Sequence, residues 1–291
     1  MHKKQRRLPL ADPGIHIEIH APCHIGAIVP PLIASVYVPV VCYDTSMKTA
    51  VVTGASYGIG KSITETLLKD GYKVYGLSRS KPDLADQQFV WLQCDLTQPA
   101  QIESCLQTIS EPTIDVLISN AGVIDIENAS EATPASYEKT FSVNVLAPML
   151  VVRALRDKIQ TATIISVSSV SDRFPAADVA LYSSSKAAIT IYFGSLADEL
   201  KGAKVYSLLP DYTDTPMQHQ TSDNNKGFDW SATLKPEEIA QFTGDLLAGK
   251  FSLESGANII IINEKLKADL ENPEKLYGFN TDTNELTKLH R

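Results

Sequence analysis

The sequence predicts an α/β fold: a doubly wound, parallel, seven-stranded sheet with helices on both faces. Three observations carry this expectation. From residue 48 onward, short β-branched runs alternate with amphipathic stretches of helical length, the order that buries a parallel sheet between helices. A glycine-rich turn joins the first run to the first helical stretch. The 291 residues, 44% hydrophobic and 21% charged, have the composition of a globular chain with a large core.

Taken in order, TAVVT (49–53) is the first strand and 58–70 the first helix. KVYGL (73–77) and FVWL (89–92) are the next strands, followed by a helix over 98–109. IDVLIS (114–119) and ATIISVS (162–168) flank a long helix at 134–159. A helix at 180–201 leads to KVYSLL (204–209), and one at 235–248 leads to NIIII (258–262). Right-handed crossovers should join the strands. The polar segment 217–234 reads as a long loop, and such loops in compact domains are usually functional. Residues 264–291 read as a charged, weakly periodic tail, so the catalytic domain is expected over 47–263.

The first 46 residues differ from the rest, with net charge +1 against −9 for the remainder. Their basic start, MHKKQRRLPL, stands apart from the apolar run 25–43, whereas a signal peptide joins the two directly. Pro30, Pro31 and Pro39 also disrupt any spanning helix in that run. The first strand begins two residues after Met47. Residues 1–46 are therefore expected to form a poorly ordered extension that originates from an upstream start codon, and membrane attachment is not expected. The acidic body disfavours nucleic acid. Cys23, Cys42, Cys94 and Cys105 form no CxxC pair or zinc spacing, and the six histidines form no HExxH. The expectation is a reducing, cytoplasmic compartment and no metal.

In VVTGASYGIGKSI, Gly54, Gly58 and Gly60 follow the first strand and open the first helix. Glycines there let the backbone approach a pyrophosphate, and the helix N-terminus offers free N–H groups and a positive dipole end. A dinucleotide is the ligand such a turn suits.

A second motif, YSSSK, places Tyr182 four residues before Lys186 on one helix face. Together the two motifs resemble the short-chain dehydrogenase/reductase family in its single-domain, Rossmann-like form, over about residues 48–262. SNAG (119–122) resembles the family's NNAG, with Ser119 in place of the first Asn. CDLT (94–97) resembles its adenine-contacting turn, FSVNV supplies Asn144, and ISVSSVS supplies the active-site serine. The resemblance implies that Ser56, Tyr57 and Ile59 join the three glycines around the cofactor. It implies the same for Asp95, Leu96, Asn120, Ala121 and Gly122, and for Pro210, Thr213 and Thr215 beside the nicotinamide. One departure is Asp211, which stands where the family usually has glycine after Pro210.

Carbonyl reduction by hydride needs a proton donor at the developing alkoxide. Tyr182 can be that donor, and a cation at Lys186 is expected to lower the phenol pKa from its usual value near ~10. The resemblance further implies that Lys186 holds the nicotinamide ribose, that Ser169 hydrogen-bonds the substrate oxygen, and that Asn144 binds a proton-relay water. Ser168 should alternate to the other side of its strand.

Cofactor choice turns on the end of the second strand, where an Asp or Glu would bind both ribose hydroxyls and select NAD. Ser78 stands there, followed by Arg79. A serine can donate to a 2′-phosphate and a guanidinium can grip it, so NADP(H) is expected.

The functional expectation is an NADP(H)-dependent oxidoreductase on a carbonyl or secondary alcohol, working as a homodimer or homotetramer, as the resemblance implies. A non-catalytic NADP(H)-binding redox sensor is the alternative; it would be expected to lose Tyr182 or Lys186, and both are present. A nucleotide-sugar epimerase or dehydratase would need a different glycine spacing and a larger C-terminal domain. The substrate is not legible in the loops near 122–127, 170–181 and 211–234.

Overall fold

A computed structural model describes residues 47–174, 177–221, 230–263 and 276–288. The extension at 1–46, residues 222–229 of the long loop, and 264–275 and 289–291 of the tail lie outside the described residues.

Among the described residues, nine strands form one sheet. They are β1 (Thr49–Thr53), β2 (Lys73–Ser78), β3 (Phe89–Gln93), β4 (Val116–Ser119), β5 (Thr163–Val167), β6 (Lys204–Pro210), β7 (Ala257–Ile262), β8 (Leu276–Asn280) and β9 (Glu285–Lys288). Their order is β3-β2-β1-β4-β5-β6-β7-β8-β9, parallel throughout except for the β8–β9 pair. The direction of winding reverses between β1 and β4. A doubly wound sheet binds ligands at the carboxyl ends of the strands on either side of such a point.

Seven strands were expected, and the two extra ones come from the segment read as a tail. β8 adds to the edge of β7, and the chain turns back through Asn284, at φ +56°, into β9. Asn tolerates that left-handed conformation. Phe279 is buried and pins the hairpin to the body, with its ring centroid 4.4 Å from Phe242 and 5.7 Å from Phe251. Tyr277 and Leu286 pack against the same core as Phe279, but strands this short leave almost no periodic signal, which is why the sequence reads as a tail.

The helices are α1 (Gly58–Lys69), α2 (Pro99–Gln107), α3 (Pro134–Phe141), α4 (Ala147–Leu155), α5 (Ala180–Glu199), α6 (Pro216–Thr221) and α7 (Pro236–Leu247). Among the described residues no helix is long and apolar enough to cross a membrane. The two faces of β1, β4 and β5 feed two separate cores. Val52, Ile118 and Ile165 pack with α1 and α7, while Val51, Leu117 and Ile164 pack with α2, α4 and α5. A strand buried on both faces alternates its side chains between these two cores.

The helix expected over 134–159 is not continuous. A π-helical turn, Ser142–Leu146, separates α3 from α4. Pro148 has no N–H to donate to the carbonyl of Asn144 four residues back, so the α-helical ladder is broken there. The turn carries Asn144 inward to the site. Another difference lies in the long polar loop, whose start winds into α6 rather than remaining irregular.

Candidate active site

Two cavities open at the carboxyl ends of the strands and share Tyr182 in their walls. The first, of about 220 Å³, runs from the glycine turn across the ends of β2 and β4 to Lys186. The second, of about 390 Å³, lies between the turn after β5 and the loop after β6.

The first cavity begins at the turn after β1. Gly54 and Gly58 have φ of +71° and +59°, conformations that favour glycine. Gly60 is needed for a different reason: a Cβ there would overlap the Gly54 carbonyl oxygen and the Asn120 amide. No side chain caps the start of α1, and no acid sits in its first turn, so its N–H groups remain open to an anion. Ser56, Tyr57 and Ile59 line the cavity beside Gly54 and Gly58.

Thr53, which sequence reasoning missed, holds the turn to β4. Its hydroxyl accepts from the N–H groups of Asn120 (3.0 Å) and Ala121 (3.1 Å). Asn120 returns its side-chain amide to the Thr53 carbonyl at 3.0 Å. The available signal was a hydroxyl residue at the end of the first strand, directly before the glycine.

At the end of β2, Ser78 and the exposed Arg79 line the cavity opposite Asp95 and Leu96. The Ser78 hydroxyl donates to the Ser80 carbonyl at 2.8 Å and accepts from the Trp91 indole at 3.1 Å. To donate to a ligand it must turn away from Ser80, a constraint the sequence does not reveal. The N–H and hydroxyl of Thr97 hold the Asp95 carboxyl below its usual pKa, with help from the charge of Arg79.

At the junction, α5 presents Tyr182 and, one turn later, Lys186. The Lys186 ammonium donates to the Val167 carbonyl at 2.9 Å and lies 5.6 Å from the Tyr182 ring centroid. Gly122 lies against both groups: a Cβ there would meet the Lys186 Nζ and the Asn144 Oδ1 at 3.4 Å, in ordinary van der Waals contact. Asn144 is buried behind the cavity wall. It is clamped by the Val123 N–H (2.8 Å) and carbonyl (2.9 Å), and it donates to the Ser185 hydroxyl at 2.9 Å. Ser185 in turn donates to the Tyr182 carbonyl at 2.7 Å.

Two serines end β5 with different partners. The Ser168 hydroxyl is tied to α5, donating to the Lys186 carbonyl at 3.2 Å and sharing a proton with Thr190 at 2.7 Å. The Ser169 hydroxyl accepts from the Ser171 N–H at 3.1 Å and lines the second cavity with Tyr182. Pro210 and Thr213, expected beside the nicotinamide, line the second cavity rather than the first, whereas Thr215 lines both.

The expected electrostatics are reversed in this chain. Burial pushes the Tyr182 phenol up to about 12, aided by the negative charge of Asp172 and opposed by the Ser169 hydroxyl. Burial likewise pushes the Lys186 ammonium down to about 8, opposed by Asp172. Desolvation penalises the charged form of each, and it is the largest influence on both groups. Asp172 itself, also missed by sequence reasoning, is pushed up to about 6 by burial.

The second cavity has an apolar wall of Ile124, Ile126, Val170 and Val179, with Asp178 and Asp211 as its charged members. Burial raises the pKa of Asp211, while the Tyr212 N–H, donating at 2.8 Å, opposes the shift. Neither acid forms an ion pair among the described residues. No group of three potential metal-ligating side chains occurs among the described residues either.

Comparison with known proteins identifies the family and the fold. The family model for short chain dehydrogenases matches residues 48–226. An uncharacterized oxidoreductase of Bacillus subtilis is 31% identical over 239 residues, covering 74% of this chain and 97% of the relative. Glucose 1-dehydrogenase 2 of the same organism is 28% identical, covering 75% and 94%. The crystal structure of a Brucella melitensis 3-ketoacyl-(acyl-carrier-protein) reductase complexed with NADH superposes with a TM-score of 0.66 at 23% identity, covering 73% and 96%. The chain belongs to the short chain dehydrogenase family and is an oxidoreductase.

Proposed function

We propose that this oxidoreductase uses NADP(H) to interconvert a carbonyl compound and a secondary alcohol, with Tyr182, Lys186, Ser169 and Asn144 as its working set. The observation that carries the reading is the shared wall: Tyr182 stands where the cavity that begins at the glycine turn meets a second one with a mixed polar and apolar lining. The residues present fit a dinucleotide. Gly54, Gly58 and Gly60 keep the backbone clear, and the uncapped start of α1 faces the space a pyrophosphate would fill.

A bound nicotinamide supplies the hydride. Tyr182, protonated at neutral pH because burial holds its phenol up to about 12, gives its proton to the oxygen that develops negative charge. Ser169 donates a hydrogen bond to the same oxygen from the second cavity. Lys186, whose remaining N–H groups lie next to Gly122, holds the ribose hydroxyls. Asn144 fixes the π-helical turn against Val123 and Ser185, and so keeps the floor beneath Lys186 in place. Arg79 grips the 2′-phosphate, and no acid stands at the end of β2 to repel it. The catalytic unit is residues 47–263 with the β8–β9 hairpin added at its sheet edge, joined through α4 and α5 into a dimer or tetramer. The presence of both Tyr182 and Lys186 gives the sensor reading no support.

The test is NADPH oxidation across a panel of aldehydes and ketones, repeated with NADH. Turnover of at least one carbonyl, faster with NADPH, is expected. Tight NADPH binding with no turnover of any carbonyl would replace this reading with the sensor.

A further inference from the structure

One buried ionisable group beside the junction has no part in the mechanism above. Asp172 ends a single 3-10 turn, Val170–Asp172, that starts at Ser169 and packs against α5 and β6. Its side chain has 0% exposure, although its turn borders the open second cavity. Neither carboxylate oxygen makes a hydrogen bond. Arg173 Nε approaches one of them at 3.4 Å but is itself without a hydrogen-bond partner. The nearby Thr190 hydroxyl favours the charged form, yet it is already shared with Ser168 at 2.7 Å.

A carboxylate that is buried and incompletely paired is costly. Nothing in the packing demands an acid here, because the turn is held by its backbone: the Asp172 N–H donates to the Ser169 carbonyl at 3.1 Å, and that of Phe174 to the Val170 carbonyl at 3.0 Å. Groups whose burial and neighbours perturb their ionisation cluster at functional sites. The charged and titratable groups that face Asp172 are Arg173 from its own turn and Tyr182 and Lys186 from α5; β6 contributes none among the described residues.

We propose that Asp172 is a positioning residue that sets the proton affinities of Tyr182 and Lys186, and so the pH range in which the pair works. The inference rests on the Tyr182–Lys186 mechanism proposed above. The carboxylate acts on both partners in the same direction. Its negative charge holds a proton on the phenol and on the ammonium. That keeps Lys186 charged at neutral pH although burial draws its pKa down, and it keeps Tyr182 in the donor form that carbonyl reduction needs. When Asp172 itself takes up a proton, at about pH 6, both holds weaken together.

The sign of its effect on stability follows. The folded pKa of Asp172 lies above its ordinary value, so this group favours folding at low pH, and that contribution is lost as pH rises through about 6. An acid retained only for structure would behave in the opposite way.

The experiment compares wild type with Asp172→Asn and Asp172→Ser. In kcat/KM for carbonyl reduction between pH 5 and 10, wild type should show an inflection near 6 that both variants lack. The alkaline limb of both variants should move down by about one pH unit, since Lys186 loses its anion. Both variants should melt at a higher temperature than wild type at pH 8, with the gap closing at pH 4. A wild-type carboxyl titrating near pH 6 should appear in infrared spectra and vanish in Asp172→Asn. Unmoved limbs, or variants that melt lower at pH 8, would overturn the proposal. The infrared and melting measurements need no substrate, so they judge Asp172 even if the carbonyl screen shows no turnover.

Discussion

The two cavities that meet at Tyr182 are built on different principles. The nucleotide side is made largely of backbone: glycines at 54, 58 and 60, open N–H groups, and main-chain bonds from Asn120 and Ala121 to Thr53. The second cavity, where the proposed substrate would sit, is made of side chains on connecting turns, and its two acids, Asp178 and Asp211, have no cation paired with them among the described residues. Backbone construction tolerates little variation in sequence. Side-chain construction allows chemistry to change without disturbing the sheet. The difference says where to expect the shared chemistry of the family and where this chain's own selectivity.

The sharpest break should come at the shared wall. Tyr182→Phe removes one hydroxyl and leaves both cavities standing. Carbonyl turnover should fall by about 10²–10⁴-fold, with NADPH affinity close to wild type by fluorescence titration. A Phe variant with near-normal turnover would show that the wall between the cavities is not where the proton is given.

On the nucleotide side the test is one of space. Gly60→Ala puts a Cβ against the Gly54 carbonyl and the Asn120 amide, so the turn must shift. It should destabilise by about 1–3 kcal/mol, the range for overpacking, and weaken both NADPH and NADH. Gly194→Ala is the matched control, since nothing lies within 4 Å of a Cβ there. In the interior of α5 it should stabilise by up to about 1 kcal/mol and leave both cofactors unaffected. Equal effects in thermal melts would remove the distinction between a constrained turn and an ordinary helix.

This contrast also explains what was legible in the sequence. The strands, the glycine turn and the Tyr182–Lys186 spacing are local patterns, each contained in a few consecutive residues, and the structure has them where the pattern puts them. Contacts between distant segments were not legible. Thr53 matters because β4 lies beside β1, and Trp91 because its indole reaches Ser78 across the β2–β3 pair. Asp172 matters because a 3-10 turn folds it under α5. The β8–β9 hairpin depends on Phe279 meeting Phe242 and Phe251. The reversed electrostatics of Tyr182 and Lys186 belong with these, because desolvation is a property of the packed site and not of the spacing.

Arg79→Ala probes the one side-chain determinant on the nucleotide side. Charge-assisted hydrogen bonds to a phosphate contribute about 1.5–3 kcal/mol. The variant should therefore lose on the order of 10–100-fold in kcat/KM with NADPH and change little with NADH. An equal loss with both cofactors, in steady-state kinetics, would mean that Arg79 does not read the 2′-phosphate.

The smallest effect is expected at Asp211, where the chain departs from its family's glycine. The carboxylate lines the second cavity and is partly buried, and its pKa is raised by that burial. A folded pKa above the ordinary value means that the acid favours folding at low pH and that this contribution is lost as pH rises. Asp211→Asn should therefore melt slightly higher than wild type at pH 8, with the difference disappearing at pH 4. Its effect on catalysis should depend on the charge of the substrate. A carbonyl compound bearing a carboxylate is repelled by Asp211 and Asp178 together, so the variant should accept it several-fold better, while a neutral ketone of the same size should change little. Coulomb energies between partly solvated charges at such range are about 1 kcal/mol, which limits the gain to roughly tenfold. An Asn variant that treats both substrates as wild type does would show that the acids do not face the bound substrate. Selectivity would then have to come from the apolar wall of Ile124, Ile126, Val170 and Val179.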